Sequence, residues 1–272
     1  PKPAPATGKT VAVIGGGPGG LTAAYYLALM GHSVTVYEQR PQLGGMLRYG
    51  IPDYRLPLEV LDRDLDYILT TGIQVRTGVS VGTDIPVEKL QQQYDAVYIA
   101  IGAHSDKKLH IPGEDAQGVY SAVRLLRDIG EGRIPDFTGK RVCIIGGGNV
   151  SMDATRTAKR LGAASVQCLY RRRLEDMTAL PEEIQAAMAE GCEIVTLEAP
   201  SRIETNAAGQ VTAIWTQPQH IGPYNGKDRP NPIKADLPER RFPCDILTVA
   251  LGQSIATSVY VAIGVTTHRG AI

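Results

Sequence analysis

The stretch "VAVIGGGPGGLTAAYYLALMGHSVTVYEQ", residues 11–39, decides the fold. Its apolar run Val11 to Ile14 leads into a G-x-G-x-x-G pattern and then a helix-like segment; the glycines of the pattern are Gly15, Gly17 and Gly20. In such a pattern the first glycine permits a tight turn, the second lets backbone amides approach a pyrophosphate, and the third lets the helix pack closely on the strand. The stretch therefore predicts a strand, a turn and a helix that bind a dinucleotide.

The second strand of this predicted unit, "SVTVYE", ends at Glu38. A carboxylate at that place accepts hydrogen bonds from ribose hydroxyl groups and disfavours a 2′-phosphate. A loop then follows at residues 40–57, "RPQLGGMLRYGIPDYRLP", and its Gly and Pro content predicts irregular structure rather than a helix. Gly44 and Gly45 in this loop are expected to return to the nucleotide. These residues alone leave both NAD and FAD open as the first nucleotide.

A second passage, "RVCIIGGGNVSMDATRTAKRLGAASVQCLYRRR" at residues 141–173, repeats the design. Its first two glycines are Gly146 and Gly148, whereas Ser151 occupies the third position and is small enough to permit close helix packing. The next strand ends in three arginines instead of an acid. The guanidinium groups of Arg171 and Arg172 can pair with a 2′-phosphate, and Arg173 is expected to lie in solvent. The alternative interpretation is a solvated basic cluster.

The segments "GGMLRYGIPDYRLP" and "GGGNVSMDATR" resemble signatures of the small (beta) subunit of glutamate synthase and its relatives, which are FAD- and NAD(P)H-dependent oxidoreductases with two dinucleotide-binding domains. The resemblance covers nearly the whole chain; Ser151 stands where the family usually has alanine. It implies FAD in the first site and NADP, with NAD possible, in the second. The implied FAD-binding residues are Gly15, Gly17, Pro18, Gly20, Glu38, Gln39, Gly44, Gly45, Leu47, Gly102 and Ala103. The implied NADP-binding residues are Gly146, Gly148, Asn149, Val150, Arg171, Arg172 and Gly252.

The expected fold class is α/β, with two Rossmann-like dinucleotide-binding domains and the nicotinamide domain inserted in the FAD domain. A crossover rich in Gly and Pro at residues 112–139 favours a division into residues 1–118, 119–252 and 253–272. The last of these ranges would begin the return to the FAD domain. Family members continue with a segment whose aspartate binds FAD, so the C-terminal part of the FAD domain is expected to be missing from this sequence.

Composition narrows the classes of partner. The 28 Lys and Arg residues balance 28 Asp and Glu residues, so the chain lacks the net charge expected for binding nucleic acid or an anionic membrane. Five glycines and a proline interrupt the apolar stretch from Val11 to Met30, which argues against a membrane span. The four cysteines form no C-x-x-C pair, so no zinc, iron–sulfur or redox-dithiol motif is visible. We expect buried cysteines, no metal site and a reducing, cytoplasmic location.

The resemblance implies a flavoprotein subunit that transfers hydride between NAD(P)H and FAD. Its electrons would be exchanged with iron–sulfur centres of a partner, such as an electron-transfer protein or a large catalytic subunit, or of segments absent from this sequence. Direct hydride transfer needs no general base, so no catalytic residue is assigned, and His104 is interpreted as structural. Two alternatives stay open: an enzyme like the pyridine nucleotide–disulphide reductases, which would need a dithiol, and a non-catalytic FAD-binding structural subunit.

Overall fold

The computed structural model describes residues 2–224 and 229–255 and divides the chain into two compact units. The second unit runs from Asp106 to Gln253, so the chain enters it earlier than the predicted boundary after residue 118. The difference has a packing reason, because Leu109 and Ile111 contact the hydrophobic core of the second unit. Most of the predicted return segment, 253–272, lies outside the described residues.

The first unit is built on a parallel sheet of four strands in the order β3-β2-β1-β4. The strands are β1 (Thr10–Ile14), β2 (Ser33–Glu38), β3 (Gln74–Thr77) and β4 (Ala96–Ile99). The helices are α1 (Pro18–Leu29), α2 (Met46–Tyr49), α3 (Leu58–Leu69) and α4 (Val87–Gln93). Both faces of β1 are buried: Val11 and Val13 belong to one apolar cluster, and Ala12 and Ile14 to another. Burial on both faces explains why β1 reads as a continuous apolar run.

The strand, turn, helix and strand predicted for residues 11–39 are present, with local differences. Helix α1 begins at Pro18, earlier than its apolar run suggested, because proline is suited to the first position of a helix. The expectation of no helix in the 40–57 loop is wrong, since α2 forms a short turn there. The Tyr49 N–H donates to the Gly45 carbonyl at 2.9 Å, and no proline interrupts these four residues.

The second unit contains a parallel sheet of five strands in the order β6-β14-β7-β8-β9. Its strands are β6 (Val119–Ser121), β7 (Arg141–Ile145), β8 (Ser165–Tyr170), β9 (Glu193–Thr196) and β14 (Ile246–Val249). Its helices are α5 (Ala122–Gly130), α6 (Asn149–Arg160) and α7 (Pro181–Ala189), with a 3-10 turn at Leu174–Asp176. Strand β6 and helix α5 fall within the predicted crossover. The buried residues Ala122, Val123, Leu125 and Leu126 bind α5 to the core of this unit despite the flanking Gly and Pro residues.

An antiparallel sheet interrupts the second unit between β9 and β14. It consists of β10 (Glu198–Thr205), β11 (Val211–Ile221), β12 (Pro232–Lys234) and β13 (Arg240–Pro243), with β11 pairing with the other three strands. Two further strands, β5 (Ser105–Asp106) and β15 (Gln253–Ser254), pair with each other. Within residues 2–224 and 229–255, no helix has the length and apolar character needed to cross a membrane.

Candidate functional site

The turn after β1 is closed by backbone groups. The Gly15 N–H donates to the Tyr37 carbonyl at 2.8 Å, and the Ala100 N–H donates to the Ile14 carbonyl at 2.8 Å. Gly15 has φ +109°, and a Cβ atom there would overlap the Ala100 carbonyl. Only glycine satisfies both requirements, because a side chain disfavours positive φ and has no room. The end of β4 therefore fixes the conformation of the first glycine-rich loop.

The other glycines of this loop divide into two kinds. A Cβ atom on Gly20 would overlap the Gly15 carbonyl, so close packing of α1 on β1 requires glycine at position 20. A Cβ atom on Gly17 would meet only the Cα atom of Gly45 at 3.7 Å, and one on Gly19 would meet nothing within 4 Å. The protein thus leaves open space at the beginning of α1, next to Pro18. Backbone N–H groups of the first helical turn lack intrahelical partners and attract anions, so this space fits a pyrophosphate.

Glu38, at the end of β2, holds the loop in place. Its Oε2 atom accepts a hydrogen bond from the Gly16 N–H at 2.7 Å, and its Oε1 atom accepts one from the Arg40 N–H at 2.7 Å. The residue is buried, whereas the neighbouring Gln39 is exposed. Each carboxylate oxygen has about two lone pairs, so Glu38 can still accept hydrogen bonds from ribose hydroxyl groups. The structure gives Glu38 a positioning role in addition to its predicted role as a ribose ligand.

The loop that follows Glu38 returns to the glycine-rich turn. The Gly44 N–H donates to the Gly16 carbonyl at 2.8 Å, and a Cβ atom on Gly45 would lie 2.7 Å from the Cα atom of Gly17. Both Gly44 and Gly45 have positive φ. The structure therefore brings Gly44 and Gly45 into contact with the first glycine-rich loop, whereas Leu47 packs partly against the apolar core.

Arg48 supports this return loop, and sequence reasoning missed it. Its side chain is buried, its Nε–H donates to the Leu43 carbonyl at 2.6 Å, and its guanidinium pairs with Asp62. A buried guanidinium needs such partners, because an unpaired charge is costly away from water. Arginine in a loop rich in Gly and Pro is ordinarily exposed, so the sequence carried no signal for this role.

Two predicted residues lie further from the first loop. Gly102 and Ala103 follow β4, but it is the backbone of Ala100 that touches the glycine-rich turn. Gly102 is exposed with φ +68°, and a Cβ atom there would meet only the ring of His104 within 4 Å. Their role toward FAD stays a prediction.

The second loop repeats the construction of the first. The Gly146 N–H donates to the Leu169 carbonyl at 3.1 Å, and the Ala250 N–H donates to the Ile145 carbonyl at 2.8 Å. Gly146 has φ +149°, and a Cβ atom there would overlap the Ala250 carbonyl. Gly252, predicted to lie near the dinucleotide, is exposed, and its carbonyl accepts from the Lys107 N–H at 3.3 Å. In each unit the backbone that contacts the glycine-rich loop lies two positions before the predicted ligand. The contacting residue is Ala100 rather than Gly102 in the first unit, and Ala250 rather than Gly252 in the second.

Ser151 gives the second loop a feature that the first lacks. Its side chain is fully buried, and its Oγ atom accepts a hydrogen bond from the Gly148 N–H at 3.3 Å. A Cβ atom on Gly146 would overlap this hydroxyl group, so the serine fits only because position 146 is glycine. The small side chain permits close helix packing and engages one backbone amide of the loop.

A segment after β8 folds over the second loop. The N–H groups of Thr178 and Ala179 donate to the Gly147 carbonyl at 2.9 and 3.0 Å. The Asn149 Oδ1 atom accepts a hydrogen bond from the Leu180 N–H at 2.8 Å, so this predicted nucleotide ligand also anchors the segment. Val150 packs partly against the core of the second unit. No sequence motif predicted the contact of this segment with Gly147.

The three arginines after β8 have different surroundings. Arg171 is exposed, and the Arg172 Nε–H donates to the Pro230 carbonyl at 2.8 Å. Arg173, expected to lie in solvent, is half-buried, and its guanidinium binds both carboxylate oxygens of Asp176 at 2.9 and 3.1 Å. Asp176 raises the pKa of Arg173 above its ordinary value, and Arg173 lowers the pKa of the Asp176 carboxyl. Arg171 and Arg172 are therefore the members of the run that are not neutralised by this acid.

The four cysteines of the chain are buried and unsuited to thiol chemistry. A hydrogen bond with Cys244, together with burial, raises the pKa of Cys143. Burial raises the pKa of Cys168 to about 12 and raises that of Cys192 as well. Thiols react as thiolates, so the raised pKa values disfavour reaction of Cys143, Cys168 and Cys192 at neutral pH. Among the described residues, no group of three or more His, Cys, Asp or Glu side chains could hold a metal ion.

In comparison with known proteins, one family model covers both glycine-rich loops. Residues 9–272 match the model of the pyridine nucleotide-disulphide oxidoreductases. The NADP(+)-dependent formate dehydrogenase subunit beta of Moorella thermoacetica is 39% identical over 250 residues, covering 91% of this chain and 35% of that protein. The glutamate synthase [NADPH] small chain of Escherichia coli (strain K12) is 35% identical over 256 residues, covering 90% of this chain and 54% of that protein.

A solved structure shows the same fold. FprA of Mycobacterium tuberculosis in complex with NADPH superimposes with a TM-score of 0.78 at 19% identity, covering 93% of this chain and 72% of that chain. The predicted α/β fold with parallel sheets and the predicted resemblance to glutamate synthase small subunits are confirmed. The chain spans between about a third and about half of the length of the two curated relatives named above.

Proposed function

Because this chain belongs to the pyridine nucleotide-disulphide oxidoreductase family, we propose that it is the nucleotide-binding part of an NADPH-dependent FAD oxidoreductase, which transfers hydride between NADPH and FAD. The observation that carries this proposal is the chemical difference between two loops of the same construction. The strand after the first loop ends in a buried carboxylate, Glu38, whereas the strand after the second is followed directly by Arg171 and Arg172. The two loops are therefore suited to different dinucleotides.

We assign FAD to the first loop. The open space beside Gly17 and Gly19 fits a pyrophosphate, and Glu38 can accept hydrogen bonds from the adenosine ribose. A phosphate on that ribose would face a buried carboxylate, which is unfavourable. FAD carries a ribose with both hydroxyl groups, so this end of the site favours it over NADP. Gly44 and Gly45 border the same space and are proposed to lie along the cofactor.

We assign NADP to the second loop, where the start of α6 offers a similar approach for a pyrophosphate. A Cβ atom on Gly148 would meet the hydroxyl of Thr178 at 3.4 Å, so the segment after β8 borders this face of the loop. Glu38 is the last residue of β2, and Arg171 and Arg172 directly follow Tyr170, the last residue of β8. Guanidinium groups bind phosphate through paired hydrogen bonds, so these arginines favour a ribose with a 2′-phosphate.

The cofactors carry the reaction when bound, because hydride passes between the nicotinamide and flavin rings. The residues of this chain bind and orient the two nucleotides, and no general acid or base is assigned. The cysteines argue against a disulphide reductase whose dithiol lies in this chain, since all four are buried and the pKa values of Cys143, Cys168 and Cys192 are raised. We propose a reducing, cytoplasmic location on the same ground, because unpaired cysteines are typical of such compartments.

Partners are proposed from the relatives. The formate dehydrogenase relative is named a beta subunit, and the glutamate synthase relative is named a small chain, so both are parts of larger assemblies. We propose that this protein likewise works with a partner, such as an electron-transfer protein or a large catalytic subunit, and exchanges electrons with iron–sulfur centres there. The balanced charge of the chain favours protein and small-molecule partners over nucleic acid.

The experiment that tests the proposed function is anaerobic titration of the native protein with NADPH and with NADH, with flavin absorbance recorded. We expect NADPH to bleach the flavin, and the kcat/KM ratio of NADPH to NADH to exceed one. Replacing both Arg171 and Arg172 by Ala should lower that ratio roughly 10- to 150-fold, because a charged hydrogen bond contributes about 1.5 to 3 kcal/mol. Arg124→Ala removes an exposed arginine of α5 and serves as the control.

Two results would contradict this proposal. Protein that stays colourless after incubation with FAD would contradict the assignment of FAD to the first loop. A wild-type kcat/KM ratio of NADPH to NADH near one, or a ratio that the double substitution leaves unchanged, would contradict the assignment of NADP to the second loop. Iron–sulfur absorbance of the native complex, followed in the same titration, tests the partner: centres that stay oxidised while the flavin is reduced would contradict electron exchange.

A further inference from the structure

A second segment of the chain reaches the arginines that follow β8. Arg229 and Pro230 lie in the connection between β11 and β12, almost 60 residues further along the sequence. The Pro230 carbonyl accepts the 2.8 Å hydrogen bond from the Arg172 Nε–H. The Arg229 Nη1–H donates to the hydroxyl group of Tyr170, the last residue of β8, at 3.3 Å. These two bonds hold the Arg229 segment against the end of β8.

The result is a cluster of positive charge, formed by Arg171, Arg172 and Arg229. Partial loss of hydration, followed by the charges of Arg172 and Arg229, lowers the pKa of Arg171. Like charges held together are unfavourable unless an anion joins them. The next arginine, Arg173, has its charge balanced by Asp176 and Glu175. Within the described parts of the chain, no carboxylate pairs in this way with a member of the cluster.

The cluster is not required by the packing of the unit. Arg171 is exposed and Arg229 is half-buried, so neither guanidinium fills the core. Tyr170 already has a backbone partner, since its hydroxyl group donates to the Asp176 carbonyl at 2.8 Å. The bond from Arg229 is therefore an addition to a satisfied hydroxyl group, and it orients the arginine rather than rescuing a buried polar atom. An anion that binds all three guanidinium groups would relieve their mutual repulsion.

We propose that Arg229 is a specificity-determining residue of the second nucleotide site, where it binds the 2′-phosphate together with Arg171 and Arg172. This inference rests on the proposed function, because it takes the second loop as the NADP site. Arg229 lies between strands β11 and β12 of the antiparallel sheet. The phosphate would therefore be bound by two separate segments of the chain. Discrimination between NADPH and NADH then depends on the β11–β12 connection as well as on the end of β8.

The test is isothermal titration of the native protein with 2′,5′-ADP and with 5′-AMP, which differ only in the 2′-phosphate. Neither ligand carries a nicotinamide, so binding is read without hydride transfer. Arg229→Gln should weaken 2′,5′-ADP about tenfold, equivalent to about 1.4 kcal/mol, and leave 5′-AMP unchanged. Lys234→Gln removes the same charge from the exposed surface of β12 and should change neither affinity. The Arg171→Ala, Arg172→Ala double variant is the positive control.

The outcomes separate this inference from the proposed function. If the wild type binds both ligands equally, the NADP assignment fails and the role of Arg229 fails with it. If the wild type prefers 2′,5′-ADP and only the double variant loses that preference, the role of Arg229 alone is wrong. If Arg229→Gln weakens both ligands equally, Arg229 merely supports the fold, which also overturns the proposal. Loss confined to 2′,5′-ADP supports it, and the intact 5′-AMP affinity shows that the site is folded.

Discussion

Replacing Glu38 by Gln should loosen the first glycine-rich loop before any cofactor binds. The two carboxylate oxygens of Glu38 accept hydrogen bonds from the N–H groups of Gly16 and Arg40, each at 2.7 Å. An amide of the same shape keeps only one acceptor and turns its NH₂ group toward the other N–H donor. Gly16 is buried, so its N–H would have no water to replace the lost partner.

The size of the effect follows from these bonds. A hydrogen bond to a charged group contributes about 1.5 to 3 kcal/mol, and a buried donor left without a partner costs a similar amount. We expect Glu38→Gln to lower the free energy of unfolding of the cofactor-free protein by about 1.5 to 3 kcal/mol. FAD affinity should fall by roughly 10- to 150-fold, because the loop is less well held and the ribose loses an acceptor.

Two measurements decide the matter: urea unfolding of the cofactor-free protein, and FAD binding followed by quenching of flavin fluorescence. Asp64→Asn is the matched control, since it removes an exposed carboxylate of α3 whose ion pair with Arg63 contributes little. Unchanged unfolding with weaker FAD binding would mean that Glu38 acts only on the ribose. If neither quantity changed, the reasoning from the two hydrogen bonds would be refuted.

Three further results are expected. Gly20→Ala should destabilise the protein by about 1 to 3 kcal/mol in urea unfolding, because the added Cβ atom would overlap the Gly15 carbonyl. Gly19→Ala is the control and should be neutral or stabilising, because a Cβ atom there would meet nothing within 4 Å. Equal effects of the two substitutions would contradict the packing argument. Arg141 lowers the pKa of the Asp245 carboxyl to about 2. The contribution of this ion pair to stability is therefore present above about pH 4 and is lost as the pH falls toward 2. Asp245→Asn should make the free energy of unfolding less dependent on pH over that range. The four cysteines should resist a thiol reagent in the native protein and react after denaturation, and rapid native labelling would contradict their burial.

Both glycine-rich loops could largely be predicted from the sequence, because their conformation and packing require glycine at fixed positions. The spacing of Gly15 and Gly20 predicts a turn and a closely packed helix, and the structure shows that a Cβ atom at either position would overlap a backbone carbonyl. The same spacing could not indicate which carbonyls these are. Ala100 and Ala250 contact the loops through backbone atoms, and a backbone contact leaves no mark on residue type.

Long-range contacts account for most of what the sequence did not predict. Arg229 lies shortly before β12, whose pairing with β11 is a long-range contact, and no motif spans the 59 residues between Arg229 and Tyr170. Arg173 is a different case. It stands three residues before Asp176, a spacing that brings side chains together in a helical turn, so its ion pair could have been predicted.

The two units separate the requirement for binding a dinucleotide from the choice between dinucleotides. Gly15 and Gly146 meet the same backbone constraint, a carbonyl at the end of a neighbouring strand, so the loops share one construction. The difference lies at the end of the second strand of each unit, where Glu38 ends β2 and Arg171 directly follows β8. Glu38 also holds the first loop through the Gly16 N–H, whereas Arg171 is exposed, so Arg171 can change with little effect on the fold. Cofactor preference should therefore respond to substitution of Arg171 with little change in stability, whereas substitution of Glu38 or of the constrained glycines should affect stability and binding together.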